Sequence, residues 1–378
     1  MNRVKRNPKE FGRLLKTAVR KIALQENKNI AVVQDELGYD LDRDSGGVAI
    51  QYWERGNIPA KKQDVEKLKQ DLLELGGLTQ EEATLFVAYA GYPELEEKQA
   101  QPFIAGPPIT HPRHFFGREY ELKRLFGLWQ DANMPLQNAA IIGPRGSGKT
   151  SLLLHLKNIA TVPASQLRSN QRTDRLPQSP TYRWVFVDFR NPQVGTRTGL
   201  LSNILTGLGL SVPTPCNLDH FVDVMSRNLE ERTIILLDEI GVALTRCDEL
   251  DDTFWDGLRA LACTQAGGNL AFVLSARELP GLLARRNNRS SDFFSIFAYT
   301  ASLGPFTEAE ASSLIASSPT PFPVEDVDWI LAQSQRWPLL LQILCRERFV
   351  TLEEGDLGPG WREEGLRQLV PFQHLLSD

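Results

Sequence analysis

The stretch "AAIIGPRGSGKTSLLLHL", Ala139 to Leu156, decides the fold. An apolar run with strand character leads into a glycine-rich loop, and an apolar helix-like run follows. Gly143-Pro144-Arg145-Gly146-Ser147-Gly148-Lys149-Thr150 fits the spacing GxxxxGK[ST]. Each residue type has a physical task there. Glycines let the backbone curl with its N–H groups pointing inward and tolerate positive φ. The helix that begins at the loop aims its positive end at the same point, so an anion is favoured there. A lysine at position 149 reaches the outer phosphates of a nucleotide, a hydroxyl at 150 suits Mg²⁺, and Ser151 continues the cradle.

Outward along the chain, "RTIILLDEIG" is an apolar run that ends in Asp238-Glu239, 89 residues after Lys149. A strand-end carboxylate in apolar surroundings needs a compensating charge. Mg²⁺ supplies that reason for Asp238, and Glu239 is placed to polarise an attacking water. The pair points to hydrolysis of a nucleoside triphosphate. No N/TKxD tetrad for guanine follows, so adenine is the expected base and ATP with Mg²⁺ the expected ligand. "LAFVLSARE" brings Ser275 and Arg277 to a strand end. Two readings of Ser275 stand there, a sensor of the γ phosphate and a turn cap.

Short β-branched runs at "AAIIG", "YRWVFVDF", "RTIILLDE" and "LAFVLSAR" alternate with helical segments. This pattern predicts a P-loop NTPase core: a parallel sheet with helices on both faces, an α/β fold. An all-α domain precedes it and a helical lid follows. The expected boundaries are a helical domain over 1–95, a Pro-rich linker over 96–113, the core over 114–304, and lid and C-terminal helices over 305–378. Residues 163–181 read as a polar insertion.

The first 95 residues carry five helical patterns. Asn29 is the expected cap of the second and Gly38 its expected end. Thr79 with Glu82 has capping-box spacing for the fifth. Residues 1–28 hold nine Lys/Arg against Glu10 and Glu26, a local excess of seven positive charges, although the 378-residue chain carries −5 overall. Such an excess suits phosphates or a solvated helix face.

Cys216, Cys247, Cys263 and Cys345 are far apart, which argues against a zinc site or a disulfide framework. No apolar run reaches membrane-spanning length, and a cytoplasmic protein without a membrane partner is expected.

"HFFGREYELKRLF", "IIGPRGSGKTSLL", "WVFVDFR", "TIILLDEIG", "FVLSARE", "LGPFTEAEA" and "WPLLLQILC" occur in the order found in STAND-type and AAA-like signalling ATPases. Over about residues 114–348 the chain most resembles the archaeal-ATPase-like branch. The resemblance implies that Gly117 and Arg118 lie at the entrance to the nucleotide and that Pro338 packs near the adenine. It further implies assembly into homo-oligomers in which a neighbour supplies an arginine. Arg285, Arg286 and Arg289 stand either for that arginine or for a solvated loop. Arg336 and Trp337 replace the glycines usual before the proline, and Trp337 reads as a base-stacking or a core residue. About thirty residues follow this region, so no repeat sensor or separate effector domain is expected.

"AIQYWERGNIP" resembles the third helix and its exit in Xre/Cro-type helix-turn-helix domains. The resemblance implies that Ile50 and Trp53 are core, Glu54 is structural, and Gly56 ends the helix. Double-stranded DNA would then meet Arg43, Ser45, Gln51, Tyr52 and Arg55. Asp40, Asp42 and Asp44 oppose that contact. Three readings remain: an ATP-driven DNA-associated switch, a protein-interaction ATPase of signalling or defence, and a transposition-type ATPase that coats DNA through its core.

Overall fold

The structure is a computed structural model that describes residues 6–41, 46–91, 102–159, 161–163, 167–168, 171 and 182–376. Its contacts divide the chain into two units, Met1–Ala100 and Gln101–Asp378.

The first unit contains helices α1 (Pro8–Gln25), α2 (Ile30–Asp40), α3 (Gly47–Glu54), α4 (Lys62–Glu74) and α5 (Gln80–Tyr89). Phe11, Leu15, Ala18, Val19 and Ile22 form the buried stripe of α1, while Lys9, Arg13, Lys16 and Arg20 face solvent. Asn29 caps α2 by accepting the Ala31 N–H. Thr79 and Glu82 form the expected capping box on α5. Ile50 and Trp53 are buried, and Gly56 has φ +93° after α3.

One expectation fails here. Gly38 does not end α2, which runs on to Asp40. A Cβ on Gly38 would overlap the Gly46 carbonyl, so this glycine serves close approach of the chain before α3 rather than helix termination.

The second unit begins with α6 (Glu119–Gly127), β1 (Ala139–Ile142), α7 (Lys149–Asn158), β2 (Tyr182–Asp188), α8 (Arg197–Gly207), α9 (Leu218–Asn228) and β3 (Arg232–Asp238). It continues with α10 (Ile240–Arg246), α11 (Asp252–Ala260), β4 (Leu270–Ala276), α12 (Pro280–Arg286) and β5 (Tyr299–Ser302). Four more helices complete it: α13 (Glu308–Ile315), α14 (Val324–Ser334), α15 (Pro338–Glu353) and α16 (Gly360–Leu369). A 3-10 turn, Val370–Leu375, follows α16.

The five strands pair in parallel in the order β2-β3-β4-β1-β5. Every residue of β3 and β4 is buried, as expected of central strands covered on both faces. One face packs Leu237, Leu274, Trp255 and Phe293. The other packs Ile234, Leu236, Leu152 and Leu156. Each such aliphatic side chain contributes about 1.5–3 kcal/mol on full burial.

β5 was not expected. Its four residues include Thr300 and Ser302, and its pairing partner β1 lies far away in the chain, so local pattern does not mark it. A third cluster, with Leu340, Leu341, Leu344 and Phe349 of α15, holds the lid helices. Phe103 is buried in this cluster, so the Pro-rich run from 102 onward packs on the second unit. The expected insertion at 163–181 lies largely outside the described residues.

Candidate functional site

Parallel pairing puts the C-terminal ends of β1, β3 and β4 side by side, where open α/β sheets receive ligands. Register aligns Ile141 with Ser275, and Asp188 with Asp238. Ser275 of β4, Asp238 of β3 and Asp188 of β2 therefore reach the same edge, beside the loop that leaves β1.

After β1 the loop bends through Gly143, Gly146 and Gly148, at φ +154°, +91° and +94°. A Cβ at Gly143 would lie 2.8 Å from the Leu303 carbonyl and from Ser147 Oγ. One at Gly146 would lie 3.0 Å from Leu339 and 3.1 Å from Leu375. The loop is thus shaped by glycine and held from outside. Lys149, buried at the start of α7, donates through Nζ to the Gly143 and Pro144 carbonyls at 2.9 and 3.0 Å. Burial holds its ammonium below the ordinary lysine range, Glu239 and Asp238 oppose that, and Arg277 adds to it.

Asp238 is fully buried at the end of β3. Thr150 Oγ1 donates to its Oδ2 at 2.8 Å, and Ser275 Oγ donates to its Oδ1 at 2.5 Å. Burial still pushes the Asp238 carboxyl above its ordinary range, against the two hydroxyls and Arg190. The carboxylate charge is under-compensated by protein alone. The next residue, Glu239, sits at φ +58°, a left-handed conformation unusual for a side-chain-bearing residue. Its N–H is held by Ser275 Oγ at 2.9 Å. The turn places Glu239 in the wall of a cavity of ≈ 310 Å³.

That cavity is shared by Arg145, Gly146, Ser147, Gly148, Lys149 and Thr150. Ser151 also lines it and accepts the Ile109 N–H through Oγ at 3.0 Å. Away from the loop the walls include Ile104, Pro107, Pro108, Phe116, Pro338 and Phe372, which make an apolar slot. Gln342 fixes the slot's edge by accepting the Ile104 N–H at 2.9 Å.

The residues fit a nucleotide with magnesium. Ser147 Oγ is buried in the loop without a hydrogen-bond partner among the described residues, as a phosphate-facing hydroxyl would be. Thr150 lines the cavity and its hydroxyl reaches the buried Asp238 carboxylate directly behind it, so one hydroxyl and one carboxylate stand together there. That sparse oxygen set suits Mg²⁺, which keeps waters and shares substrate phosphates. Among the described residues no group of three His, Cys, Asp or Glu side chains is placed to hold a metal by itself.

No family model matches the chain, and no curated protein matches it. Solved structures do. The ORC2 protein of Aeropyrum pernix, solved as ADPNP–ADP complexes, is similar with a TM-score of 0.51 and 13% identity, over 71% of this chain and 71% of that one. The fold is that of a P-loop ATPase. The Walker-type ATPase paby2304 of Pyrococcus abyssi matches with a TM-score of 0.48 and 16% identity, over 69% of this chain and 74% of that one. Domain III of the replication initiation protein DnaA from Thermotoga maritima gives 0.44 and 15%, over 71% and 95%. At such identities the likeness concerns the fold alone.

Within this P-loop ATPase fold, several residues singled out from sequence stand elsewhere than in the cavity wall. Ser275 is fully buried beneath Asp238, with its hydroxyl tied to Asp238 and Glu239. Arg277 is exposed beyond β4. Gly117, at φ +70°, packs on Phe306 and Glu310 at the start of α6. Arg118 does line the cavity, but its guanidinium is buried and braces the loop, donating Nη2 to the Ser147 and Gly304 carbonyls at 3.1 and 2.6 Å. Arg286 pairs with Glu278 at 2.8 Å, and neither it, Arg285 nor Arg289 lines the cavity. Trp337 packs against the lid core.

Sequence reasoning missed the 3-10 turn after α16. His374 Nε2 donates to the Arg145 carbonyl at 3.1 Å, while Phe372 lines the cavity and Leu375 is buried against Gly146. Arg190, which also lines the cavity, was missed too.

In the first unit Gln51 and Tyr52 are exposed on α3, and Arg55 is exposed just after it. Gln51 Nε2 donates to Gln34 Oε1 at 3.1 Å, and Gln34 Nε2 donates to both Glu54 oxygens at 3.0 Å. Arg43 and Ser45 lie outside the described residues, as do Asp42 and Asp44.

Ser275→Ala is an informative small change. It leaves Asp238 Oδ1 buried without a donor, which costs about 1–3 kcal/mol. A urea midpoint lowered accordingly, with an unchanged slope, is the expected result; an unaltered midpoint would contradict the tie.

Proposed function

We propose that the chain is an ATP-binding and ATP-hydrolysing switch. The observation that carries this is the Thr150–Asp238 hydrogen bond at 2.8 Å, which ties a buried strand-end carboxylate to a cavity whose wall holds Thr150, Lys149 and Glu239. In the proposed roles the N–H groups from Gly143 to Ser151 cradle the phosphates, and Lys149 turns from its two carbonyls to the β and γ phosphates. Thr150 and Asp238 hold the magnesium, which when bound offsets the phosphates' negative charge. Glu239 accepts the proton of the attacking water. Ser275 positions both acids. The adenine lies between Pro338, Phe372 and the strap from Ile104 to Pro108, and Arg118 keeps the loop in shape. The likeness to ORC2, solved with ADPNP and ADP, supports nucleotide as the ligand. Phosphate release from ATP that needs Mg²⁺ and stops with EDTA tests the assignment; release unaffected by EDTA would count against it.

The helical unit over residues 1–95 is proposed to be a helix-turn-helix module, so that nucleotide state governs DNA engagement or self-assembly. Support comes from the basic outer face of α1 and the exposure of Gln51, Tyr52 and Arg55. A second reading has its own observation. Tyr39, Val48 and Tyr52 are 64%, 63% and 56% exposed on α2 and α3, an apolar presence that suits a protein partner. Gel shifts against salt separate the two. DNA binding predicts affinity that falls steeply from 50 to 200 mM salt, by about 10-fold or more for a few phosphate contacts, and weakens in Gln51→Ala/Arg55→Ala. Absence of any shift at 50 mM salt favours the protein partner.

A further inference from the structure

Arg190 follows β2 by two residues, on the strand neighbouring the one that ends in Asp238. The chain turns there. Asp188 Oδ1 accepts the Arg190 N–H at 2.9 Å, and the Asp188 carbonyl accepts the Asn191 N–H at 2.9 Å. This turn folds the guanidinium back across the sheet edge. Its Nε donates to Asp188 Oδ1 and Oδ2 at 2.9 and 3.1 Å, and Nη2 donates to Oδ2 at 2.8 Å. From that fork, Nη2 also lies 3.5 Å from Asp238 Oδ2. This is the same oxygen that takes the Thr150 hydroxyl. Arg190 lines the cavity with Lys149, Thr150 and Glu239, and its side chain is 52% exposed.

We infer that Arg190 is the chain's own arginine for the terminal phosphate, a catalytic residue supplied in cis that distinguishes ATP from ADP. This deepens the ATP reading and rests on it. The argument is electrostatic. Asp188 is a firm anchor with three short contacts, whereas Asp238 is a weak second partner at the limit of hydrogen bonding. Once Asp238 and Thr150 engage a divalent cation, the guanidinium faces a like charge a few ångströms away. Pivoting on Asp188, it moves toward the nearest uncompensated anion, and in this cavity that is the outermost phosphate. A diphosphate offers no charge at that position. The planar fork then spreads its donors over the oxygens on which charge is distributed during transfer. A guanidinium remains a cation at any working pH, so the charge is available throughout. None of Arg285, Arg286 and Arg289 lines the cavity, and hydrolysis by this route does not require a second copy of the chain.

The test uses the full chain with Arg190→Ala and Arg190→Lys, calorimetry with AMP-PNP and with ADP in the presence of Mg²⁺, and steady-state hydrolysis. Because the side chain is half exposed and outside the apolar clusters, the melting temperature should match the wild type. Arg190→Ala is expected to keep its ADP affinity within about twofold, to weaken AMP-PNP by about tenfold, and to lower kcat by about 10³-fold. Arg190→Lys keeps the charge but not the fork, and should recover part of the AMP-PNP affinity and little of kcat. Equal weakening of both nucleotides, or a wild-type kcat in Arg190→Ala, overturns the proposal while leaving the ATP reading intact. A folded wild type that takes up neither nucleotide overturns both.

Discussion

Glu239→Gln is expected to lower kcat by about 10³-fold while leaving ATP affinity within about threefold. The substitution keeps size and hydrogen-bonding shape and removes only the ability to accept a proton. The backbone makes the argument specific. β3 ends on buried Asp238, and Glu239 then adopts a left-handed turn that a non-glycine residue holds at a cost of about 1–3 kcal/mol. The Ser275 hydroxyl clamps its N–H. The turn leaves Asp238 buried at the strand end and sends Glu239 into the cavity wall, so the two adjacent carboxylates meet different surroundings. Isothermal calorimetry and phosphate release on the same preparation separate the effects. Turnover within tenfold of wild type would remove Glu239 as the base.

Lys149→Ala is expected to raise the Kd for ATP by about 100-fold or more, in keeping with about 3 kcal/mol for a charge-assisted contact in a buried setting. Lys149 is buried, and its ammonium is held by two main-chain carbonyls rather than a carboxylate. That arrangement leaves the charge only partly compensated, consistent with its lowered pKa. A phosphate is a better partner than two carbonyls, which supplies the drive for the lysine to change partners. Hydrolysis retained in this variant would contradict the role.

The parts of this site legible in the sequence are those whose chemistry constrains neighbours in the chain. Gly143 to Thr150 must be contiguous to wrap an anion, and a strand ending in Asp238-Glu239 is improbable without a cation to meet. The missed parts are assembled by distant segments. The slot edge joins Ile104 to Gln342, and the loop is braced by His374 through the Arg145 carbonyl. No local pattern announces such contacts. Arg190 lies just past the expected strand run YRWVFVDF, and only the register of Asp188 against Asp238 shows where its guanidinium goes. Gly38 shows the same limit in the first unit: a glycine that permits close approach and one that ends a helix look alike until the partner backbone is known. For Ser275 the sequence leaves a sensor and a turn cap open; its burial, which a strand-end position does not reveal, makes it instead a tie to Asp238 and Glu239.

The most direct test of the central claim is calorimetric titration of the folded wild-type chain with ATP and Mg²⁺, alongside Lys149→Ala. The account predicts saturable uptake of one ATP per chain by the wild type, weakened by EDTA and lost in the variant. Heat signals that are absent in both, or identical in both, would contradict it.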